Sequence, residues 1–129
     1  MNLLFYKPGT NEAGEQLQRV IEALVPRRKT EIYRTMESLS GRLRQSKYDL
    51  AIAVLLAASS EDLMELLSIR DLLDDVRIIL VLPDRENDTI RKGHTLRPRF
   101  LTYADSNFVD VSAVLSKMLA NIFPGKKGK

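Results

Sequence analysis

Few residues in this 129-residue chain are of types that do chemistry. Cysteine is absent, which removes disulfides, thiolate metal sites and thiol nucleophiles. The one histidine, His94, stands between Gly93 and Thr95. A lone imidazole makes no metal site without partners, and beside Arg91, Lys92, Arg97 and Arg99 it reads as a solvated loop residue rather than a phosphorelay group. The stretch Gly9-Thr10-Asn11-Glu12-Ala13-Gly14 has the glycine spacing of a phosphate-binding loop. Glu15 and Gln16 stand where that loop needs a lysine and a hydroxyl, so a turn into a capped helix is expected. The remaining candidates are Lys7, which could hold an anion, and Asp84 and Asp105, which could bind a cation or exchange protons. Such aspartates more often cap helices or close turns, and Asp105-Ser106-Asn107 has that character.

The elements that must position these residues alternate between two hydrophobic periods. Asn2–Tyr6 is a short apolar run broken by Lys7-Pro8-Gly9. Thr10 or Asn11 caps a helix with Ala13, Leu17, Val20, Ile21 and Leu24 on one face, ended by Pro26. Thr30–Arg34 reads as an edge strand. Thr35 caps a second helix, with Met36, Leu39 and Leu43 buried and Gly41 weakening it. Residues 48–57 are apolar almost throughout, as in a parallel strand covered on both faces. Ser59-Ser60-Glu61-Asp62 resembles a capping box and opens a heavily apolar helix through Leu73. A fourth strand, Val76–Leu82, stops at Pro83-Asp84. A short polar helix follows from Asn87 or Asp88, with Gly93 as its expected end. Phe100–Tyr103 is the fifth strand, and a last helix turns Val111, Val114, Leu115, Met118, Leu119 and Ile122 inward.

Strands joined by helices of this length require crossover connections, hence a parallel sheet with helices on both faces. The third and fourth strands are the most apolar and belong inside; the second belongs at an edge. The expected fold is α/β, a three-layer sandwich on a five-stranded parallel sheet of order 2-1-3-4-5, the flavodoxin-like arrangement. Residues 1–123 form one domain, and 124–129 a basic, disordered tail.

Five βα units, the segment Tyr48-Asp49-Leu50-Ala51-Ile52-Ala53-Val54 and the strand Arg77–Pro83 resemble the response-regulator receiver family over nearly the whole chain. That resemblance implies a site with an acidic pair for magnesium, a phosphate-accepting aspartate, a hydroxyl residue and a lysine. The matching positions here are Lys7 and Pro8, Val54, Leu82 and Tyr103. Shifts of one or two residues rescue none of them: no carboxylate precedes Glu12, and none lies between Asp49 and Glu61. Phosphoryl transfer to a carboxylate needs a divalent ion and cations to neutralise the moving oxygens. The resemblance is therefore to a degenerate pseudo-receiver, with neither metal nor cofactor expected.

Composition bounds the rest. With 44% hydrophobic and 29% charged residues, the chain suits a soluble globular domain. Its longest apolar stretch falls far short of the roughly 20 residues that span a bilayer, and no signal pattern opens it; a cytoplasmic protein is expected. The formal charge of +3 resides largely in Lys126, Lys127 and Lys129. Residues 27–47 are locally basic and 49–75 locally acidic, a polarity that favours oriented protein contacts. No stacking platform or recognition helix argues for nucleic acid. Arg85, Arg91, Lys92, Arg97 and Arg99, with Tyr103 at their edge, form a candidate interface, because an arginine fork pairs carboxylates while its stem packs. An acidic region at Glu61, Asp62, Glu65, Asp71, Asp74 and Asp75 could complement it in a homodimer or recruit a basic partner. The expected function is a phosphorylation-independent protein–protein interaction or scaffold module in signalling, not an enzyme. The alternative is a small-ligand-binding or catalytic protein using the crevice at Lys7, Pro83, Asp84 and Asp105.

Overall fold

The structure, a computed structural model, describes residues 2–122. Five strands, β1 (Asn2–Tyr6), β2 (Thr30–Tyr33), β3 (Leu50–Leu56), β4 (Arg77–Leu82) and β5 (Phe100–Tyr103), alternate with five helices, α1 (Glu12–Leu24), α2 (Met36–Leu43), α3 (Ser60–Ser68), α4 (Asn87–His94) and α5 (Val109–Ile122). All strand pairs are parallel and the order is β2-β1-β3-β4-β5. This is the expected flavodoxin-like topology.

The strand alternation divides the core. Leu3, Phe5, Ile52, Val54, Ile79 and Val81 pack with Leu17 and Ile21 of α1 and with Val111 and Leu115 of α5. Leu4, Tyr6, Ala53, Leu55, Leu80 and Leu82 pack on the opposite face, with Leu39 and Leu43 of α2 and Leu63 and Leu66 of α3. Every β3 residue is buried, whereas the edge strand β2 is half-buried throughout. Burial on both faces is why β3 lacks the polar alternation of an open sheet.

Local chemistry sets the element starts. Asn11 rather than Thr10 caps α1, its Oδ1 accepting the Gly14 N–H at 2.7 Å. Thr35 Oγ1 accepts from Ser38 N and Ser59 Oγ from Asp62 N. Asp62 accepts the Ala58 N–H in return, close to the reciprocal capping box that the sequence suggests. Several boundaries differ from expectation: β2 ends one residue earlier, at Tyr33, and β4 starts one residue later, at Arg77. The third strand starts at Leu50, leaving Tyr48 outside it and 85% exposed. The third helix ends at Ser68, and a separate 3-10 turn carries Arg70–Leu73. Gly93 does not end α4 but lies buried within it. A Cβ there would stand 3.0 Å from Leu82 Cδ2, so the glycine lets the helix approach the strand closely. The tail at 124–129 lies outside the described residues.

Candidate functional site

In a parallel sheet of this order the natural ligand crevice lies beyond the C-terminal ends of the strands. Lys7 follows β1 there and is 1% exposed. Its ammonium donates to Glu15 Oε2 at 3.0 Å and to Gln18 Oε1 at 2.7 Å. Positions 15 and 18 lie one turn apart on α1, so both acceptors face the strand end. Gly14 makes the room. A Cβ there would lie 3.3 Å from the capping Asn11 Oδ1 and 3.5 Å from both Lys7 Cε and Leu56 Cδ2. The glycine pair is thus a turn and a close approach: Gly9 takes the left-handed conformation at φ 65. A buried ammonium under a helix N-terminus faces both desolvation and the helix dipole, and Glu15 offsets both.

The other strand ends are apolar or occupied. Val54 lies inside β3, paired with Phe5 and Ile79. The residue that ends the strand is Leu56, so the local register moves the position by two and still meets no carboxylate. Leu82 ends β4 opposite Tyr103, which ends β5. Pro8 is half-buried beside Lys7. Arg85 stacks over the Tyr103 ring, 4.4 Å from its centroid, and pairs with Asp105 at 2.5 Å. Asp84 accepts the Glu86 N–H and closes the turn into α4. Lys7, Asp84 and Asp105 are therefore each engaged within the fold. Among the described residues, no three histidine, aspartate or glutamate side chains converge on a possible metal position.

The structure divides the candidate interface. Arg91 and Lys92 both pair with Asp88 along α4, and the Lys92 hydrogen bond and charge, with Arg91, hold the Asp88 carboxyl below its ordinary range despite some desolvation. His94 is exposed at the end of the same helix. Arg97 and Arg99 lie at the start of β5, and Tyr103 at its far end, about 13 Å along a four-residue rise. They belong to opposite ends of the sheet.

Arg97 and Arg99 instead join Arg70 and Arg77, which sequence reasoning passed over. The four line an open cleft of about 720 Å³ beneath the N-terminal ends of β4 and β5, together with Asp71, Asp74 and Asp75. Strand register brings them together: Arg77 opens β4, and Arg99 N donates to Ile78 O across the neighbouring strand start. An arginine at the start of one strand, Arg77, and another just before the next, Arg99, were the signal available in the sequence. Among the described residues, none of these four arginines is ion-paired, although three aspartates share the walls. The acidic region is split accordingly. Asp71, Asp74 and Asp75 belong to this cleft, while Glu61, Asp62 and Glu65 border a shallow depression around the exposed Met64 at the start of α3.

A polar cluster around a single arginine lies under the other half of the sheet. Arg42 of α2 donates to Glu31 at 2.7 and 3.3 Å, to Asp49 at 2.9 Å and to the Ser46 carbonyl at 3.0 Å. Asn2 and Tyr33 also donate to Glu31. Burial alone would raise the Glu31 carboxyl, but the bonds from Arg42, Asn2 and Tyr33 outweigh it and hold the carboxyl below its usual range.

Compared with protein-family models and with curated proteins, the sequence matches none. What is established is the fold: five parallel strands in flavodoxin-like order, with helices on both faces. No helix among the described residues is long and apolar enough to cross a membrane.

Proposed function

We propose that this protein is a receiver-like interaction module in signalling or regulation that works without phosphorylation and without catalysis. The observation that carries this reading is the composition of the strand ends. The crevice where a phosphate-accepting site would lie is bordered by Lys7, Leu56, Leu82 and Tyr103, with Lys7 already bound by Glu15 and Gln18. Magnesium takes oxygen ligands, and these positions offer no carboxylate. A phosphorylated group set against Leu56 and Leu82 would lack compensation for its charge, a cost of several kcal/mol or more. The surface with unspent recognition capacity lies at the other end of the sheet, where guanidinium groups stand open to partners. Contact through that surface with a protein partner or a second copy fits a cytoplasmic role.

The test is a melting experiment with Mg²⁺, acetyl phosphate and common nucleotides. Expected is no saturable rise in melting temperature and no acyl-phosphate labelling. A saturable rise with any of them, or base-labile labelling that persists in His94→Ala, overturns the proposal in favour of a ligand-binding or catalytic crevice.

A further inference from the structure

The cleft at the N-terminal ends of β4 and β5 has properties that do not follow from a solvated face. The four arginines that line it come from three separate segments: the 3-10 turn (Arg70), the start of β4 (Arg77) and the α4–β5 connection (Arg97, Arg99). Like charges gathered in this way repel, and neighbouring aspartates would ordinarily relieve that by pairing. Here Asp71, Asp74 and Asp75 share the cleft, yet no pair forms among the described residues. Two wall residues that are not glycine, Asp75 at φ 72 and Arg97 at φ 54, hold left-handed backbone. That conformation disfavours a side chain with a Cβ, and for a long arginine it is uncommon. The walls are shaped at some cost, and their charges are left unspent.

The character of the opening narrows what fills it. Leu73, Val76 and Leu96 are the apolar residues of its lining, and Leu73 and Leu96 are buried beneath the polar rim. A small apolar molecule would find little to hold it, since enclosed ligand sites are mostly apolar. Guanidinium forks suit carboxylates, which they bind in bidentate fashion. The interspersed aspartates repel an unbroken run of negative charge and favour a donor between the carboxylates.

We infer that this cleft is a docking site for an acidic segment of a partner protein, whose carboxylates fork onto Arg70, Arg77, Arg97 and Arg99. A basic or amide side chain of that segment faces Asp71, Asp74 and Asp75. The inference rests on the interaction-module reading and names the partner's chemistry.

The probe is a short fluorescent peptide of alternating Glu-Glu-Gln repeats, titrated at low salt and followed by anisotropy, with a Lys-Lys-Gln peptide as the reversed control. Expected is saturable binding of the acidic peptide, weakened about tenfold or more by Arg97→Glu/Arg99→Glu and again by Arg70→Glu/Arg77→Glu. Arg91→Glu/Lys92→Glu should leave it within about twofold, because those charges are paired with Asp88. All variants should keep the parent melting temperature, so that loss of binding is not loss of fold. The inference is overturned if no saturable binding occurs, or if reversal at Arg91 and Lys92 weakens binding as much as reversal in the cleft. It is also overturned if the parent protein self-associates in sedimentation and Arg97→Glu/Arg99→Glu abolishes that, which would give the cleft to a second copy. These failures leave the non-phosphorylated reading standing; only the magnesium and acetyl phosphate melts remove that.

Discussion

One arginine and a group of four lie under the same end of the sheet and differ in how their donors are engaged. Beneath β2, β1 and the start of β3, Arg42 spends its donors on Glu31, Asp49 and the Ser46 carbonyl. Beneath β4 and β5, Arg70, Arg77, Arg97 and Arg99 form no ion pair among the described residues. A half-buried, fully engaged guanidinium belongs to the architecture: it ties α2, β2 and the entry to β3 into one unit. Exposed guanidinium groups that ignore adjacent carboxylates add little to folding and remain available to a partner. The same residue type therefore ties the fold together on one side of the sheet and is left unpaired on the other, where the proposed docking site lies.

This contrast makes ordered predictions. The largest effect belongs to Arg42→Ala, which leaves Glu31 half-buried without its main partner and should lower unfolding free energy by about 2–3 kcal/mol in denaturant titrations. A loss below about 0.5 kcal/mol would reduce the cluster to an ordinary surface pair. Next is an alkaline limit on stability. Burial, then the negative charges of Asp62 and Glu65, push the Tyr6 phenol from 10.0 up to about 12. A raised phenol stabilises the fold fully below its unfolded value, and that contribution fades between about pH 10 and 12, on the order of 2 kcal/mol. Tyr6→Phe should flatten this part of the stability curve.

Acid should separate Arg42 from the four cleft arginines further. Because the Glu31 carboxyl is held low, its contribution is present above the ordinary carboxylate range and is lost as pH falls through the lowered value. Glu31→Gln should remove that acid dependence, whereas charge reversal at Arg97 and Arg99 should leave it intact. The smallest expected change is the most pointed. Arg97→Gly relieves left-handed strain and should raise stability by up to about 1 kcal/mol while weakening acidic-peptide binding. A variant that loses stability instead would show that the side chain supports the fold and does not merely border a docking site.

Much of this architecture was legible in the sequence. β1 and β5 have the bounds that their apolar runs suggest, and the contrast between the fully apolar β3 and the mixed β2 placed them inside and at an edge. Those readings succeed because burial on both faces, or on one, writes directly into residue type. The site was less legible. Arg91 and Lys92 looked like partners of Arg97 and Arg99 because they are near in sequence, but helix geometry turns them onto Asp88 at positions one turn away. Arg70 was hidden in an acidic block, and only the 3-10 turn that leads into β4 brings it to the cleft that Arg99 lines. Lys7 was readable as a free cation; its burial depends on Glu15 and Gln18 arriving from a helix whose angle no local pattern states.

Glycine usually weakens a helix, yet Gly93 sits in the last turn of α4 with Leu82 side-chain atoms where its own Cβ would project. This has a consequence for mutational tolerance. On a short, polar helix whose exposed positions should accept most substitutions, saturation mutagenesis should find Gly93 less tolerant than Thr89, the other buried position of the helix. Even alanine, normally the best helix former, should be deleterious at Gly93. The depth of that intolerance would record how closely the helix rests on the strand beneath it.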